Sequence, residues 1–184
     1  ASGNTATATQ TVTVTDDTLP TIEAPTNVSV STNEECTATS VNLGDSTTAD
    51  NCSVSTVTND APAAYSIGET TVTWTVTDAS GNTATATQTV MVTDTTAPII
   101  TAPAGVSVIA SDLCVATEVS LGDATTTDNC SVSTVTNDGP STYSLGETAV
   151  TWTVTDASGN TATATQTVTV NDTRVPTAIC NDIT

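Results

Sequence analysis

The sequence of 184 residues has no histidine, no phenylalanine and a single basic side chain, that of Arg174. Nucleic acid is therefore excluded as a partner, because binding to phosphates requires Lys and Arg. Without His or Lys, the Ser and Thr hydroxyls have no evident general base. Carboxylate pairs could serve glycoside hydrolysis, but aromatic residues make up only 2% of the chain and cannot line a sugar cleft. We expect no enzymatic activity.

Long apolar segments are also missing, since no run approaches the roughly 20 residues of a membrane-spanning helix. We therefore expect no direct membrane insertion. The 20 acidic residues give a formal net charge of −19, which anionic membrane surfaces would repel. Solvent cations or a bound metal must balance this charge. The many alternating Val and Thr residues favour strands, so we interpret the chain as folded despite its acidity.

A long repeat dominates what is present. The segment TWTVTDASGNTATATQTV occurs at residues 73–90 and again, unchanged, at residues 151–168. Trp74 and Trp152 are 78 residues apart (152 − 74), and the Tyr residues and paired Cys residues keep the same period. We therefore divide the chain into complete repeats at residues 17–94 and 95–172. Residues 1–16 are expected to be the last strand of a preceding repeat, and residues 173–184 the start of a following repeat.

Each repeat has the pattern of a small β-sandwich. Residues 70–78 alternate strictly, with Val72, Trp74 and Val76 on one face and Thr on the other, which predicts a half-buried antiparallel strand. The sequence DASGN then suits a tight turn into a second alternating strand. About seven short strands per repeat, with no helical periodicity, predict an all-β fold of tandem immunoglobulin-like, Greek-key sandwiches. A core this small gives only marginal stability unless disulfides or a bound metal add to it.

The segments DTTAP, LGD…DNCSV and YSLGETAVTWTVTDASGNTATATQTVTV together resemble the hyalin repeat, or HYR, module, in the form found in long secreted proteins of Bacteroidota. The resemblance covers both complete repeats and both terminal fragments. It implies adhesive or structural work at a secreted, extracellular or cell-surface location. We therefore expect spacer repeats of a fibre or stalk, with neighbouring repeats and lateral copies in a filament as partners. An adhesin module that binds carbohydrate or protein through its loops is the alternative.

Acidic residues recur at fixed positions of the linker, of the DNC segment and of the DASGN turn. In an immunoglobulin-like topology these three places meet at one end of a repeat, and carboxylate and amide oxygens unaccompanied by cations are ligands that Ca²⁺ prefers. The predicted Ca²⁺ ligands are Asp16, Asp50, Asp78 and Asn82 at one junction, and Asp94, Asp128, Asp156 and Asn160 at the other. The alternative is that these residues serve only turn formation.

Four of the five cysteines fall as one pair per repeat, which indicates an oxidising compartment. If the chain folds back at the LGD segment, Cys36 would pair with Cys52 and Cys114 with Cys130, each bond contributing about 3 kcal/mol. If the DNC segment lies at the linker end instead, Cys36 would reach Cys130 of the next repeat. Two cysteines and no histidine per repeat fall short of a zinc site. Cys180 is expected to pair beyond Thr184.

Asp followed by Ser or Thr resembles an O-glycosylation acceptor of Bacteroidota proteins. Such acceptors would be Thr18, Ser46 and Thr95. A plain solvent-exposed linker is the alternative interpretation.

Overall fold

The computed structural model describes residues 2–176, which contain sixteen β-strands and no helix. The strands of the first repeat are β1 (Thr21–Glu23), β2 (Val28–Ser31), β3 (Thr37–Thr39), β4 (Thr47–Ala49), β5 (Val54–Asn59), β6 (Ala64–Ser66), β7 (Gly68–Asp78) and β8 (Thr83–Thr93). Those of the second are β9 (Ile99–Thr101), β10 (Val106–Ile109), β11 (Val115–Thr117), β12 (Thr125–Thr127), β13 (Val132–Asn137), β14 (Thr142–Ser144), β15 (Gly146–Asp156) and β16 (Thr161–Asn171). Nothing in this described part is a helix long and apolar enough to cross a membrane.

The hairpin of β7 and β8 is the longest regular element of the first repeat. Strict alternation places Val72, Trp74 and Val76 in the core while the intervening Thr side chains face outward, as the sequence predicts. The two strands pair antiparallel up to Thr77 opposite Thr83. The DASGN turn between them depends on Gly81, whose φ of 93° is a backbone conformation that side chains disfavour. The same hairpin forms from β15 and β16.

Each repeat is a sandwich of one larger and two smaller sheets. In the second repeat the larger sheet has the order β10-β16-β15-β13, with β10 parallel to β16 and the other neighbours antiparallel. The short ladder β11-β14 supplies Ala116 and Tyr143 to a core shared with Val150, Trp152 and Val168, and the ladder β9-β12 adds the partly buried Ile100. The first repeat has the same strand orders. The predicted all-β fold of tandem immunoglobulin-like sandwiches is confirmed.

A buried glutamine in each repeat connects the two sides of the sandwich. Gln166 is 1% exposed and accepts a hydrogen bond from the indole nitrogen of Trp152 at 3.1 Å. Its own amide donates to the main-chain oxygens of Ala104 and Leu121, both at 2.8 Å. Gln88 makes the equivalent three hydrogen bonds in the first repeat. The amide oxygen and the NH₂ group of the glutamine, and the indole N–H of the tryptophan, thereby all have hydrogen-bond partners inside the core.

The chain forms two compact units whose division differs slightly from the sequence repeats. The first unit contains residues up to Val30 together with Ala38–Val92, and the second contains Ser31–Thr37 together with residues from Thr93 onward. The loop between β2 and β3 therefore belongs to the second unit. Residues 2–20 form no strand, so the strand predicted for residues 1–16 stays a prediction. Cys180 and most of the predicted following repeat lie outside the described residues.

Candidate functional site: acidic loop clusters and a disulfide

The DASGN turn holds its aspartate in a fixed, buried orientation. One oxygen of Asp78 accepts hydrogen bonds from the N–H groups of Ser80 and Asn82, at 2.9 and 2.8 Å. The other oxygen accepts from the side-chain amide of Asn82 at 2.7 Å. Asp78 and its equivalent Asp156 are each only 2% exposed. The turn chemistry considered from the sequence is therefore present, and it fixes both carboxylates.

These hydrogen bonds keep both carboxylates ionised. Desolvation is the largest single influence on Asp78, and alone it would raise the pKa. Hydrogen bonds from the side chain of Asn82 and from nearby N–H groups together outweigh it, so the pKa lies below the ordinary value of 3.8. The pKa of Asp156 is lowered from the same opposing causes, with Asn160 as the main donor.

The DNC loop supplies a second carboxylate at each repeat. One oxygen of Asp50 accepts hydrogen bonds from the N–H groups of Cys52 and Ser53, at 2.8 and 2.9 Å. Its other oxygen, Oδ1, is buried and has no hydrogen-bond partner among the described residues. A buried carboxylate oxygen without a protein donor is costly unless a cation or other group faces it.

The first acidic cluster consists of Asp16, Asp50 and Asp78, whose candidate ligand oxygens all lie within 4.8 Å of one another. Asp16 accepts hydrogen bonds from the N–H of Thr18 and the side chain of Asn51, and these lower its pKa. Its Oδ2 atom is buried and unpartnered within the described chain, like Asp50 Oδ1. Three carboxylates so close repel one another unless a positive charge lies between them. The structure therefore brings together the three carboxylates predicted for this site.

The second acidic cluster repeats this arrangement in the second unit, with one difference. Asp94 and Asp128 lie within 4.8 Å of the sulfur of Cys130, whereas Asp156 is adjacent through Asn160, which donates to Asp156 Oδ2 and to the main-chain oxygen of Asp94. Asp128 Oδ1 is again buried without a partner in the described part, and so is the amide oxygen of Asn129. A disulfide sulfur is a poor ligand, so the oxygens carry this site.

Asn82 and Asn160, which were predicted as ligands, act here as hydrogen-bond donors. Asn82 donates to Asp78 and to the main-chain oxygen of Asp16, at 2.7 and 3.1 Å. These asparagines therefore tie the linker to the hairpin turn and position the carboxylates. Asn51 and Asn129 of the DNC loops were not predicted as residues of this site, although their recurrence beside Asp50 and Asp128 was a usable signal.

A disulfide joins Cys36 to Cys130, with their Cα atoms 4.7 Å apart. It attaches the loop between β2 and β3 to the second DNC loop. Asn129 supports the same contact, because its side-chain amide donates to Thr32 Oγ1 and to the main-chain oxygen of Asn33, both at 3.1 Å. The bond thus links the first sequence repeat to the second.

The prediction of a disulfide within each repeat is wrong. The LGD segment does not fold the chain back, because β11 and β12 pair with β14 and β9 and not with each other. The loop before β11 lies at the Asn171 end of the hairpin, and the DNC loop lies at the Asp156 end. Those ends are separated by a strand of 11 residues, roughly 33 Å at about 3.3 Å per residue. A disulfide tolerates Cα separations of only about 7 Å.

Among the described residues, Cys52 and Cys114 are exposed free thiols. Cys52 lies beside the first acidic cluster, and the hydrogen bond and negative charge of Asp16 raise its pKa, with burial and the charges of Asp50 and Asp78 adding to the shift. Of the predicted glycosylation sites, Thr18 and Thr95 are exposed and Ser46 is half-buried. Glycosylation of these three residues stays a prediction.

The lowered pKa values give the turn carboxylates a defined effect on stability at low pH. Since the folded pKa of Asp156 lies below 3.8, its contribution is present above the unfolded value and is lost as pH falls through the folded value. We expect the stability advantage of the wild type over the Asp156→Asn variant to be constant at pH values well above 3.8 and to shrink as the pH falls below 3.8. Guanidinium unfolding of both proteins across this range measures the difference. An advantage independent of pH would contradict the assignment.

The fold and its loops define a tandem-repeat, all-β protein with an acidic cluster and a cysteine at recurring loop positions. The HYR domain family matches residues 15–92 and again residues 93–170, so the chain belongs to the HYR domain family. It is 40% identical over 114 residues to "Hyalin" of Lytechinus variegatus. The aligned region covers 58% of this chain and 21% of hyalin. The chain thus spans about a fifth of that relative. The comparisons give no support to the expected Bacteroidota origin.

Solved cadherin structures are also similar to the chain, at low sequence identity. Human protocadherin-24 EC1-2 has a TM-score of 0.43 and 14% identity, covering 85% of this chain and 100% of that one. Protocadherin gamma B2 domains 3–6 have a TM-score of 0.45 and 14% identity, covering 85% of this chain and 53% of that one. Drosophila N-cadherin EC1-4 has a TM-score of 0.42 and 12% identity, covering 84% of this chain and 50% of that one.

Proposed function

We propose that these repeats are structural spacers of an extracellular fibre or cell-surface stalk, stiffened by disulfides and by Ca²⁺ held in the two acidic clusters. The observation that carries the proposal is the set of buried carboxylate oxygens without hydrogen-bond partners in the described chain. These atoms are Asp16 Oδ2, Asp50 Oδ1 and Asp128 Oδ1. The rest of each carboxylate is engaged by its own loop, which leaves these oxygens for a cation.

The donor set fits a hard divalent cation. Three carboxylates contribute to the first cluster and two to the second, and the one basic side chain of the sequence, Arg174, pairs with Asp112 outside both clusters. Ca²⁺ accepts six to eight oxygens in flexible geometry, whereas Mg²⁺ demands a stricter octahedral arrangement. When bound, Ca²⁺ would neutralise the mutual repulsion of the carboxylates. Asn82 and Asn160 would orient those carboxylates from outside.

A spacer role is favoured over the adhesin alternative by how the loops are used. An immunoglobulin-like module that recognises a ligand commonly does so with loops at one end of the sandwich. In the second unit the DNC loop is already engaged, since Cys130 is bonded to Cys36 and Asn129 donates to Asn33. Two nearly identical repeats also fit a repeated mechanical element, which needs no distinct binding face on each unit.

Thermal unfolding with and without Ca²⁺ tests the proposal. We expect Ca²⁺ to raise the unfolding midpoint and EDTA to reverse the shift. One site saturated to 100 times its Kd contributes about 2.7 kcal/mol, or roughly 10–20 °C for a domain of this size. Binding is measured independently by isothermal titration calorimetry.

Matched substitutions locate the effect. Asp50→Asn and Asp128→Asn keep an oxygen for the loop N–H groups but remove a charge, so we expect them to weaken the Ca²⁺ response with little loss of stability in EDTA. Asp45→Asn makes the same change at an exposed residue outside both clusters and should leave the response intact. An identical midpoint in Ca²⁺ and EDTA would refute calcium binding.

A further inference from the structure

The two free thiols occupy the same repeat positions as the two bonded cysteines. Cys114 corresponds to Cys36, and Cys52 corresponds to Cys130, each 78 residues along (114 − 36; 130 − 52). The existing disulfide therefore has two halves: a β2–β3 loop, residues 32–36, and a DNC loop, residues 128–130. The chain carries a second copy of each half, the β10–β11 loop at residues 110–114 and the DNC loop at residues 50–52.

The unbonded β10–β11 loop has the backbone geometry of the bonded loop. Cys114 and Cys36 both have a φ of 60°, an uncommon value for a residue other than glycine. Ser111 N donates to Val115 O at 2.7 Å, as Asn33 N does to Thr37 O. The main-chain oxygen that accepts from Asn129 in the bonded loop has its equivalent in Ser111. The thiol of Cys114 is therefore held in a conformation that accommodates a disulfide elsewhere in the same chain.

The unbonded DNC loop is equally preformed. Asp50 accepts from the N–H groups of Cys52 and Ser53 at 2.8 and 2.9 Å, and Asp128 holds its own loop with the same two distances. The side chain of Asn51 approaches the sulfur of Cys52 at 3.5 Å, as that of Asn129 approaches Cys130. Both unbonded loops therefore have the internal hydrogen bonds of their bonded counterparts.

Apolar side chains beside Cys114 indicate a surface that becomes covered. Leu113 is 82% exposed and Ile109 is 66% exposed, although both are large hydrophobic residues. The equivalent positions near Cys36 are Glu35 and Ser31. Two large apolar side chains exposed within five residues of Cys114 are consistent with a contact surface at this loop. This feature is independent of the cysteine itself.

We propose that Cys114 forms a disulfide with the DNC-loop cysteine of a further HYR repeat, and that Cys52 bonds reciprocally to a β2–β3-type loop. A second copy of this chain presents that partner, so copies would join head to tail through Cys114 and Cys52. Such a contact joins two different surfaces, so each copy keeps one free cysteine for the next, and the contact builds either an open chain or a ring of several copies. The inference rests on the structural role proposed above, but it does not depend on calcium.

The bond requires an oxidant, for which oxidised glutathione serves. The thiolate of Cys114 attacks the glutathione disulfide, forms a mixed disulfide and releases one glutathione thiolate. The thiolate of Cys52 on another copy then attacks the protein sulfur of that mixed disulfide and releases the second. The two protons lost by the cysteines end on the two glutathione molecules, which are thereby reduced.

Cross-linking of the whole chain tests the proposal. All proteins carry Cys180→Ser, and the reaction runs in a glutathione redox buffer with EDTA, so that failure here would leave the calcium test unaffected. We expect non-reducing gels to contain a ladder of linked chains, with Cys114–Cys52 as the linking peptide in mass spectra. Cys52→Ser alone and Cys114→Ser alone should each stay monomeric.

A mixture of these two variants distinguishes a specific bond from random oxidation. One protein supplies only Cys114 and the other only Cys52, so the mixture should stop at a dimer. The Cys36–Cys130 bond remains as an internal measure of complete oxidation. Equal dimer from a single variant, or no dimer from the mixture once Cys36–Cys130 has formed, would overturn the proposal.

Discussion

Replacing both bonded cysteines, as Cys36→Ser with Cys130→Ser, is expected to lower the free energy of unfolding of the second unit by about 4–5 kcal/mol. The bonded residues are 94 apart in sequence, and closing a loop near that length removes about 4.7 kcal/mol of chain entropy from the unfolded state. The hydrogen bonds of Asn129 to Thr32 and Asn33 remain in the variant. The contact is therefore weakened by the loss of the covalent bond and not abolished. Urea unfolding monitored by tryptophan fluorescence measures the change.

The exposed cysteines provide a control of the same chemistry. Cys52→Ser with Cys114→Ser removes two thiols that make no bond within the described chain, so we expect a change within about 0.5 kcal/mol. Reducing agent should destabilise the control protein but leave the Cys36→Ser/Cys130→Ser variant unchanged. If the bonded-cysteine variant unfolds at the wild-type urea concentration with an unchanged slope, the disulfide does not stabilise the folded protein.

Gln166→Leu is expected to cost about 3–6 kcal/mol, because it removes three hydrogen bonds from the core at nearly constant volume. The substitution leaves the indole N–H of Trp152 and the main-chain oxygens of Ala104 and Leu121 without partners. Each buried group left unsatisfied costs about 1–3 kcal/mol. Gln88→Leu should have the same effect on the first unit. Guanidinium unfolding of each variant gives the difference directly.

The chain contains its own control for this substitution. Gln10 lies in the same local sequence, TATATQTV, but is exposed at residues that form no strand. We expect Gln10→Leu to change stability by less than about 0.5 kcal/mol. If Gln166→Leu and Gln10→Leu had equal effects, the buried hydrogen bonds would contribute little, and leucine's own burial would have to compensate for them.

Much of the repeat architecture follows from local patterns. Alternation with period two assigned Val72, Trp74 and Val76 to the core, because successive side chains of a strand face opposite sides. The same parity places Gln88 on the inner face with Val90 and Val92, but it does not predict that a polar side chain is buried there, and Gln10 in an identical segment is exposed. Only the packing of Trp74 and two main-chain oxygens around Gln88 makes burial of its amide favourable.

Only residues 37–39 of the segment between Cys36 and Leu43 form a strand. The structure ends β3 at Thr39, because Ser40 adopts a φ of 54° and the chain then passes through the LGD segment with Gly44 at 80°. Before this interruption β3 pairs with β6, and after it β4 pairs with β1, so β3 and β4 do not form a hairpin with each other. The fold-back inferred at Gly44 from the sequence was the error behind the wrong disulfide pairing.

The sequence by itself determined the period, the alternating hairpins, the immunoglobulin-like class, the three carboxylates of the first cluster and two of the three predicted for the second. These depend on short-range patterns and on residues that recur at fixed positions. The tertiary structure alone decided that Cys36 pairs with Cys130 and that the side-chain amides of Asn82 and Asn160 donate to the turn carboxylate and to the linker. It also decided which carboxylate oxygens stay unpartnered. Those outcomes depend on which loops share an end of the sandwich. The spacing of residues along the chain does not specify how far apart two loops lie in the fold.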